Sequence, residues 1–136
     1  MPNPPTPHPL DPALLEPEDP SARLARLARQ FLVHSFLYYQ LNESVISDEE
    51  FDRLTEQLRS LRSATPQAPM PFGPVVDPAL GPEGSGFLIR DYPPPIITAA
   101  FRLLYDHQTR LGLDIPFDEF VQRKGYRVDS VDHPLA

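Results

Sequence analysis

Apolar positions recur along the 136-residue chain with a helical period in several separate stretches. The first runs through Leu24, Leu27, Phe31, His34, Tyr38 and Leu41, a 3-4-3-4-3 spacing. That spacing lines one face of an α-helix of about five turns. Arg23, Arg26, Arg29 and Gln30 lie largely off this stripe. Ser21 reads as its N-cap, with Pro20 barring extension backwards. Asn42 to Ile46 breaks the pattern and predicts a short loop. Ser47-Asp48-Glu49-Glu50 then has the form of a capping box, in which the Ser47 hydroxyl accepts from the Glu50 amide and the Glu50 carboxylate reaches back. Phe51, Leu54, Leu58 and Leu61 continue at helical spacing, which predicts a second helix from about Asp48 to Arg62. Two amphipathic helices joined by so short a loop make an αα-hairpin.

Beyond the hairpin, Ser63 to Gly86 holds six prolines and four glycines and reads as an irregular connector. Its apolar residues Met70, Phe72, Val75, Val76 and Leu80 are expected to pack across the helices. Phe87-Leu88-Ile89 suggests a short extended piece. A third helix is predicted from about Ile96 to Leu111, with Ile97, Phe101, Leu104 and Leu111 on one face and Gly112 at C′. A short fourth helix through Phe117, Phe120 and Val121 starts near Pro116 and ends at Gly125. No internal repeat is present. The expected fold class is all-α, a helical hairpin plus two further helices joined by a Pro/Gly-rich connector. The expected organisation is a disordered Pro-rich arm (1–20), the hairpin (21–62), the connector (63–95) and the C-terminal helices with their tail (96–136).

Composition refines this picture. Hydrophobic residues make up 40% of the chain, which supports one modest core plus tails. Eight of the 19 prolines fall in the first 20 residues, so that arm adds little to the core. Cysteine is absent, which removes disulfides, Cys-zinc sites, iron–sulfur clusters and thiol nucleophiles. The 12 basic and 19 acidic residues give a net charge of −7, the wrong sign for autonomous nucleic-acid binding, which draws its affinity from phosphate contacts. No apolar run is long enough to span a membrane, and the N-terminus lacks the features of a secretory signal, so a cytoplasmic location is expected.

Most catalytic motifs are missing. There is no Gly-rich phosphate loop and no G-x-S-x-G elbow. The histidines His8, His34, His107 and His133 show no close ligand pairing, so no metal site is expected. Two groups carry more than one reading. Asp48, Glu49, Glu50 and Asp52 are either carboxylates facing a cationic ligand or a capped, solvated first turn, and periodicity favours the second. Tyr38 lies on the apolar stripe, where a core role is the default. Tyr39 beside it is less explained by packing, and the pair can also offer a stacking face and a hydrogen-bonding edge to a flat ring.

The segment His34-Ser35-Phe36-Leu37-Tyr38-Tyr39-Gln40-Leu41-Asn42, followed by Ile46-Ser47-Asp48-Glu49-Glu50-Phe51-Asp52-Arg53-Leu54, resembles the N-terminal Ia domain of bacterial NAD-dependent DNA ligases. The likeness runs from about Arg23 to Leu61, 39 of 136 residues, without gaps. The resemblance implies a module that grips the nicotinamide mononucleotide half of NAD while an adenylation domain takes the AMP half, in DNA repair or replication. Oxidised nicotinamide is a flat cation, which aromatic faces stack on and carboxylates balance. The positions carried over as cofactor-binding are Tyr38, Tyr39, Asp48, Phe51 and Asp52. Phe51 stands where the family usually has tyrosine; it keeps the stacking face and loses the hydroxyl. Ser44 stands where proline is common.

The family's catalytic lysine motif, Lys-x-Asp-Gly, has no counterpart, because Lys124 is the only lysine and Gly125-Tyr126-Arg127 follow it. No catalytic residue is therefore assigned, and neither ligation nor self-adenylation is expected of this chain alone. The stretch from Pro66 to Ala136 is unlike the ligase domain and reads as cover for the apolar face of the hairpin. Three functions follow. The first is an accessory module that binds nicotinamide mononucleotide or NAD beside an adenylation-domain or other protein partner, as part of a split ligase. The second is a non-enzymatic interaction or structural module that reuses the hairpin. The third, an NAD hydrolase using Asp48 or Asp52, has only the carboxylates behind it.

Overall fold

In the computed structural model, residues 18–81 and 86–127 are described. They form α1 (Pro20–Ser35), continued by a π-helical turn (Phe36–Gln40), then α2 (Asp48–Ala64), α3 (Gly73–Leu80), a 3-10 turn (Gly86–Leu88), α4 (Pro94–Arg110) and α5 (Phe117–Arg123). No strand occurs among the described residues, so the fold is all-α as the periodicity predicts. Most of the Pro-rich arm, residues 82–85 of the connector and most of the C-terminal tail lie outside the described residues.

α1 and α2 form the hairpin, and α4 packs across α1. One core joins Leu24, Leu27, Phe31, Phe36 and Leu37 from the α1 segment to Leu58 from α2, Val76 from α3, Phe101 and Leu104 from α4, and Val121 from α5. Asp19, not Ser21, caps α1. Its Oδ2 accepts from the Ser21 and Ala22 amides at 3.1 and 3.3 Å, and Pro20 occupies the first turn, where its missing N–H costs nothing. The same tolerance lets α4 begin at Pro94 rather than Ile96. The Ser47 capping box forms in full: the Glu50 amide donates to Ser47 Oγ at 3.1 Å, and the Ser47 amide donates to the Glu50 carboxylate at 2.8 Å. Ser47→Ala is expected to cost about 1 kcal/mol, read as a shift in the denaturant midpoint at constant slope. No change in midpoint would mean that tertiary packing alone holds the α2 terminus.

Three further expectations are corrected. The connector contains a helix, α3, despite Pro74 and Pro78. Pro74 lies in the first turn, while Pro78 removes a helical hydrogen bond. Tertiary contacts compensate: Val76, Ala79 and Leu80 are buried, and two arginines of α2 hold α3 in place. The Arg62 guanidinium makes paired 3.0 Å bonds to Asp77 and donates to the Ala68 carbonyl at 2.9 Å, and Arg59 Nε donates to the Leu80 carbonyl at 3.0 Å. Phe87 and Leu88 belong to a 3-10 turn rather than an extended piece. Leu111 is 74% exposed, because α4 ends at Arg110 and Gly112, at φ +111°, turns the chain away.

The C-terminal part closes on itself and on the hairpin through specific contacts. The Tyr105 hydroxyl donates to the Ile115 carbonyl at 2.7 Å, and its ring meets Phe117 and Phe120. Lys124 forms an ion pair with Glu43 in the α1–α2 loop, and Gln108 Nε2 donates to the same carboxylate at 3.5 Å.

Candidate functional site

The π-helical turn decides where the two adjacent tyrosines go. The Leu41 amide donates to the Phe36 carbonyl, five residues back, at 3.3 Å, so one residue more than usual is fitted into the turn. The extra residue shifts the side chains within the turn relative to the α-helical stripe, while Leu41 after it still packs against the core. Phe36 and Leu37 enter the core, and Tyr38, assigned to the core by its spacing, is instead 44% exposed. Tyr39 is half-buried. The two phenol rings meet edge to face at 4.8 Å between centroids, and Tyr38 lies 6.2 Å from Phe51 at a 31° tilt. Phe51 in turn lies parallel to Phe31 at 6.1 Å. Four aromatic side chains are thus gathered between α1 and the start of α2.

A groove of about 370 Å³ opens beside this group. Phe31, Tyr39, Phe51, Asp52, Thr55, Glu56, Arg59, Ala79 and Gly86 line it. Of the five residues singled out from the sequence, Tyr39, Phe51 and Asp52 share this groove. Tyr38 borders it through its rings against Tyr39 and Phe51 but is not part of its wall. Asp48 is not part of the wall either; it sits exposed one helical turn before Asp52. The groove's electrostatics are set by α2. The Glu56 carboxylate is matched by Arg59 Nη1 at 2.6 Å. The Asp52 side chain has no hydrogen bond or ion pair among the described residues and is the uncompensated negative group of the groove.

Sequence reasoning missed Phe31, Thr55, Glu56, Arg59, Ala79 and Gly86 as wall residues. Thr55, Glu56 and Arg59 follow Asp52 at three, four and seven positions, the spacing of one helix face, so that signal was available. Ala79 and Gly86 carried none, since only the packing of α3 and the 3-10 turn brings them to α2.

His34 sits half-buried one turn before Tyr38. Burial pushes its imidazole below the ordinary value of 6.5, with Glu50 opposing that shift. The folded protein therefore binds this proton more weakly than the unfolded chain does. The His34 contribution to stability is complete above pH 6.5 and declines as pH falls below it. The melting temperature of the native protein is expected to fall more steeply between pH 7.5 and 5.5 than that of His34→Gln. Parallel curves would remove His34 as the cause. The Ser47 amide holds Glu50 below the usual carboxylate value of 4.5, so its own contribution is lost only in more acidic solution.

Comparisons with known proteins point to one family for the hairpin segment. Residues 17–74 match the family described as DNA ligase-like, N-terminal NAD+-binding domain. A DNA ligase of Desulforudis audaxviator is 32% identical over 117 residues, covering 81% of this chain and 17% of the ligase. DNA ligases of Roseiflexus castenholzii and Cellvibrio japonicus are 43% and 40% identical over 56 and 57 residues, or 41% and 42% of this chain and 8% of each ligase. The chain thus spans less than a fifth of the length of these relatives. The 117-residue alignment also corrects the extent of the likeness, which reaches well past Leu61 into the C-terminal half. No solved structure matches the chain. No described helix is long and apolar enough to cross a membrane.

Proposed function

We propose that this chain binds the nicotinamide mononucleotide half of NAD in the Tyr39–Phe51–Asp52 groove and serves as an accessory module to an adenylating partner. The observation that carries this reading is the pairing of aromatic faces with one uncompensated carboxylate, Asp52, in a groove whose volume lies within the usual range for small ligands. The groove fits the group: Tyr39 and Phe51 offer faces to a flat cationic ring, and Asp52 offers balancing charge and an acceptor for ribose hydroxyls. Asp48 and Tyr38, at the rim, extend the same surface. Bound NAD would supply the adenylyl group, with nicotinamide mononucleotide as the leaving half. No Lys-x-Asp-Gly motif is present in these residues, so the chemistry on the AMP half is assigned to groups outside them. Such a module would work in the cytoplasm beside an adenylation-domain protein.

Calorimetric titration of the protein with nicotinamide mononucleotide and with NAD tests the reading. Saturable heat with both ligands is expected. No heat and no chemical-shift response at millimolar ligand would overturn it. That outcome would leave the second reading, an interaction module built on the hairpin, which the exposed Phe87 and Leu88 beside the groove favour.

A further inference from the structure

We infer that Gly86, which lies beyond residues 17–74 that match the family, is a positioning residue for the groove: its missing side chain lets the 3-10 turn seat the Tyr39 ring. The inference rests on the nicotinamide reading for its effect on ligand affinity, but its structural part stands without it. A Cβ on Gly86 would fall 2.8 Å from Tyr39 Cε2, 2.6 Å from Ser35 Oγ and 3.1 Å from Ser35 Cβ. The requirement is one of space. Ser35 is fully buried, and its Oγ has no hydrogen-bond partner among the described residues.

Neither side of this contact has room to withdraw. Ser35 is the last residue of α1, fixed by the core on either side. The turn is held by its own carbonyl: Gly86 O accepts from the Ile89 amide at 3.1 Å and from the buried Tyr92 hydroxyl at 3.3 Å. The Tyr92 ring packs edge-on against Phe36 at 5.2 Å, which ties the turn to the core. Tyr39 is the least anchored of the three partners. It is half-buried, flanked by Tyr38 at 4.8 Å and by Phe87 at 5.9 Å, and it faces open groove. The part of the clash that falls on Tyr39 is therefore relieved by moving its ring, and the stacking face moves with it. The hairpin supplies the groove's chemistry, and a residue outside the hairpin sets the place of one of its aromatic walls.

The test compares Gly86→Ala with the double variant Ser35→Ala/Gly86→Ala in the full chain. The double variant removes the Oγ that a new Cβ meets first and keeps the contact with Tyr39, so it carries the test if the single variant fails to fold. The first readout is the Tyr39 ring-proton shifts without ligand, which are expected to move as the ring leaves its seat against Phe87. Unchanged shifts overturn the inference, whether or not nicotinamide mononucleotide binds. The second readout is affinity for nicotinamide mononucleotide, expected to fall at least tenfold in the native background. In a Tyr39→Ala background the same change at position 86 is expected to cause no further loss. An equal loss in both backgrounds would show that Gly86 acts on the groove by another route and would overturn the inference. A native protein that does not bind the ligand at all would sink the proposed function instead, and the Tyr39 shifts would still decide the role of Gly86.

Discussion

Replacing Asp52 with alanine is expected to weaken nicotinamide mononucleotide binding at least tenfold while leaving the unfolding midpoint almost unchanged. The two halves of this expectation have separate causes. Tenfold corresponds to about 1.4 kcal/mol, and a hydrogen bond to a charged acceptor contributes roughly 1.5–3 kcal/mol. Asp52 is exposed on α2 and has no side-chain partner among the described residues, so removing it breaks no native contact, and such surface changes stay within about 0.5 kcal/mol. Asp52→Asn keeps the acceptor and removes the charge, and should lie between the two. Asp48→Ala should cost less affinity than Asp52→Ala, because Asp48 is one turn removed from the groove wall. If Asp52→Ala binds as tightly as the native protein, the groove is not the ligand site.

Replacing Phe36 with alanine is expected to produce the largest loss of stability in the molecule, about 3–5 kcal/mol. Phe36 is 2% exposed. Its ring meets Tyr92 at 5.2 Å, Tyr126 at 5.8 Å and Phe101 at 5.9 Å, so it joins the π-helical turn to both sides of the C-terminal part. Total stabilities of domains of this size are only about 5–15 kcal/mol, so such a loss takes away a large share. Chemical denaturation followed by circular dichroism reads it directly. Leu111→Ala serves as the contrast: a side chain 74% exposed should change stability by no more than about 0.5 kcal/mol. A Phe36→Ala cost below about 1 kcal/mol would mean that the core is not closed around this ring.

Helix type and order were largely written in local pattern. The stripe from Leu24 to Phe31, the Ser47 capping box and the glycines that end α4 and α5 each act over a few residues, so they are readable without knowing the fold. Reading failed where a local rule was outweighed by distant contacts. Proline density hid α3, which exists because Arg62, Arg59 and the buried Val76 side supply what Pro78 removes. An unbroken 3.6-residue period placed Tyr38 in the core, and the extra residue of the π-helical turn moved it out.

The candidate site divides in the same way. Tyr38, Tyr39, Asp48, Phe51 and Asp52 were singled out by the resemblance to the ligase Ia domain, whereas spacing alone favoured a core Tyr38 and a solvated first turn at Asp48 to Asp52. Which of them meet in a groove was decided by the tertiary structure. The helix rotation at Phe36–Gln40 and the approach of α3 and the 3-10 turn depend on the shared core, and a core forms between residues far apart in the chain. Local sequence pattern therefore determined every helix but α3, and the residue types those helices carry. Only the packed structure determined that Tyr39, Phe51 and Asp52 share a wall with Ala79 and Gly86, since no local interaction relates α2 to residues some thirty positions away.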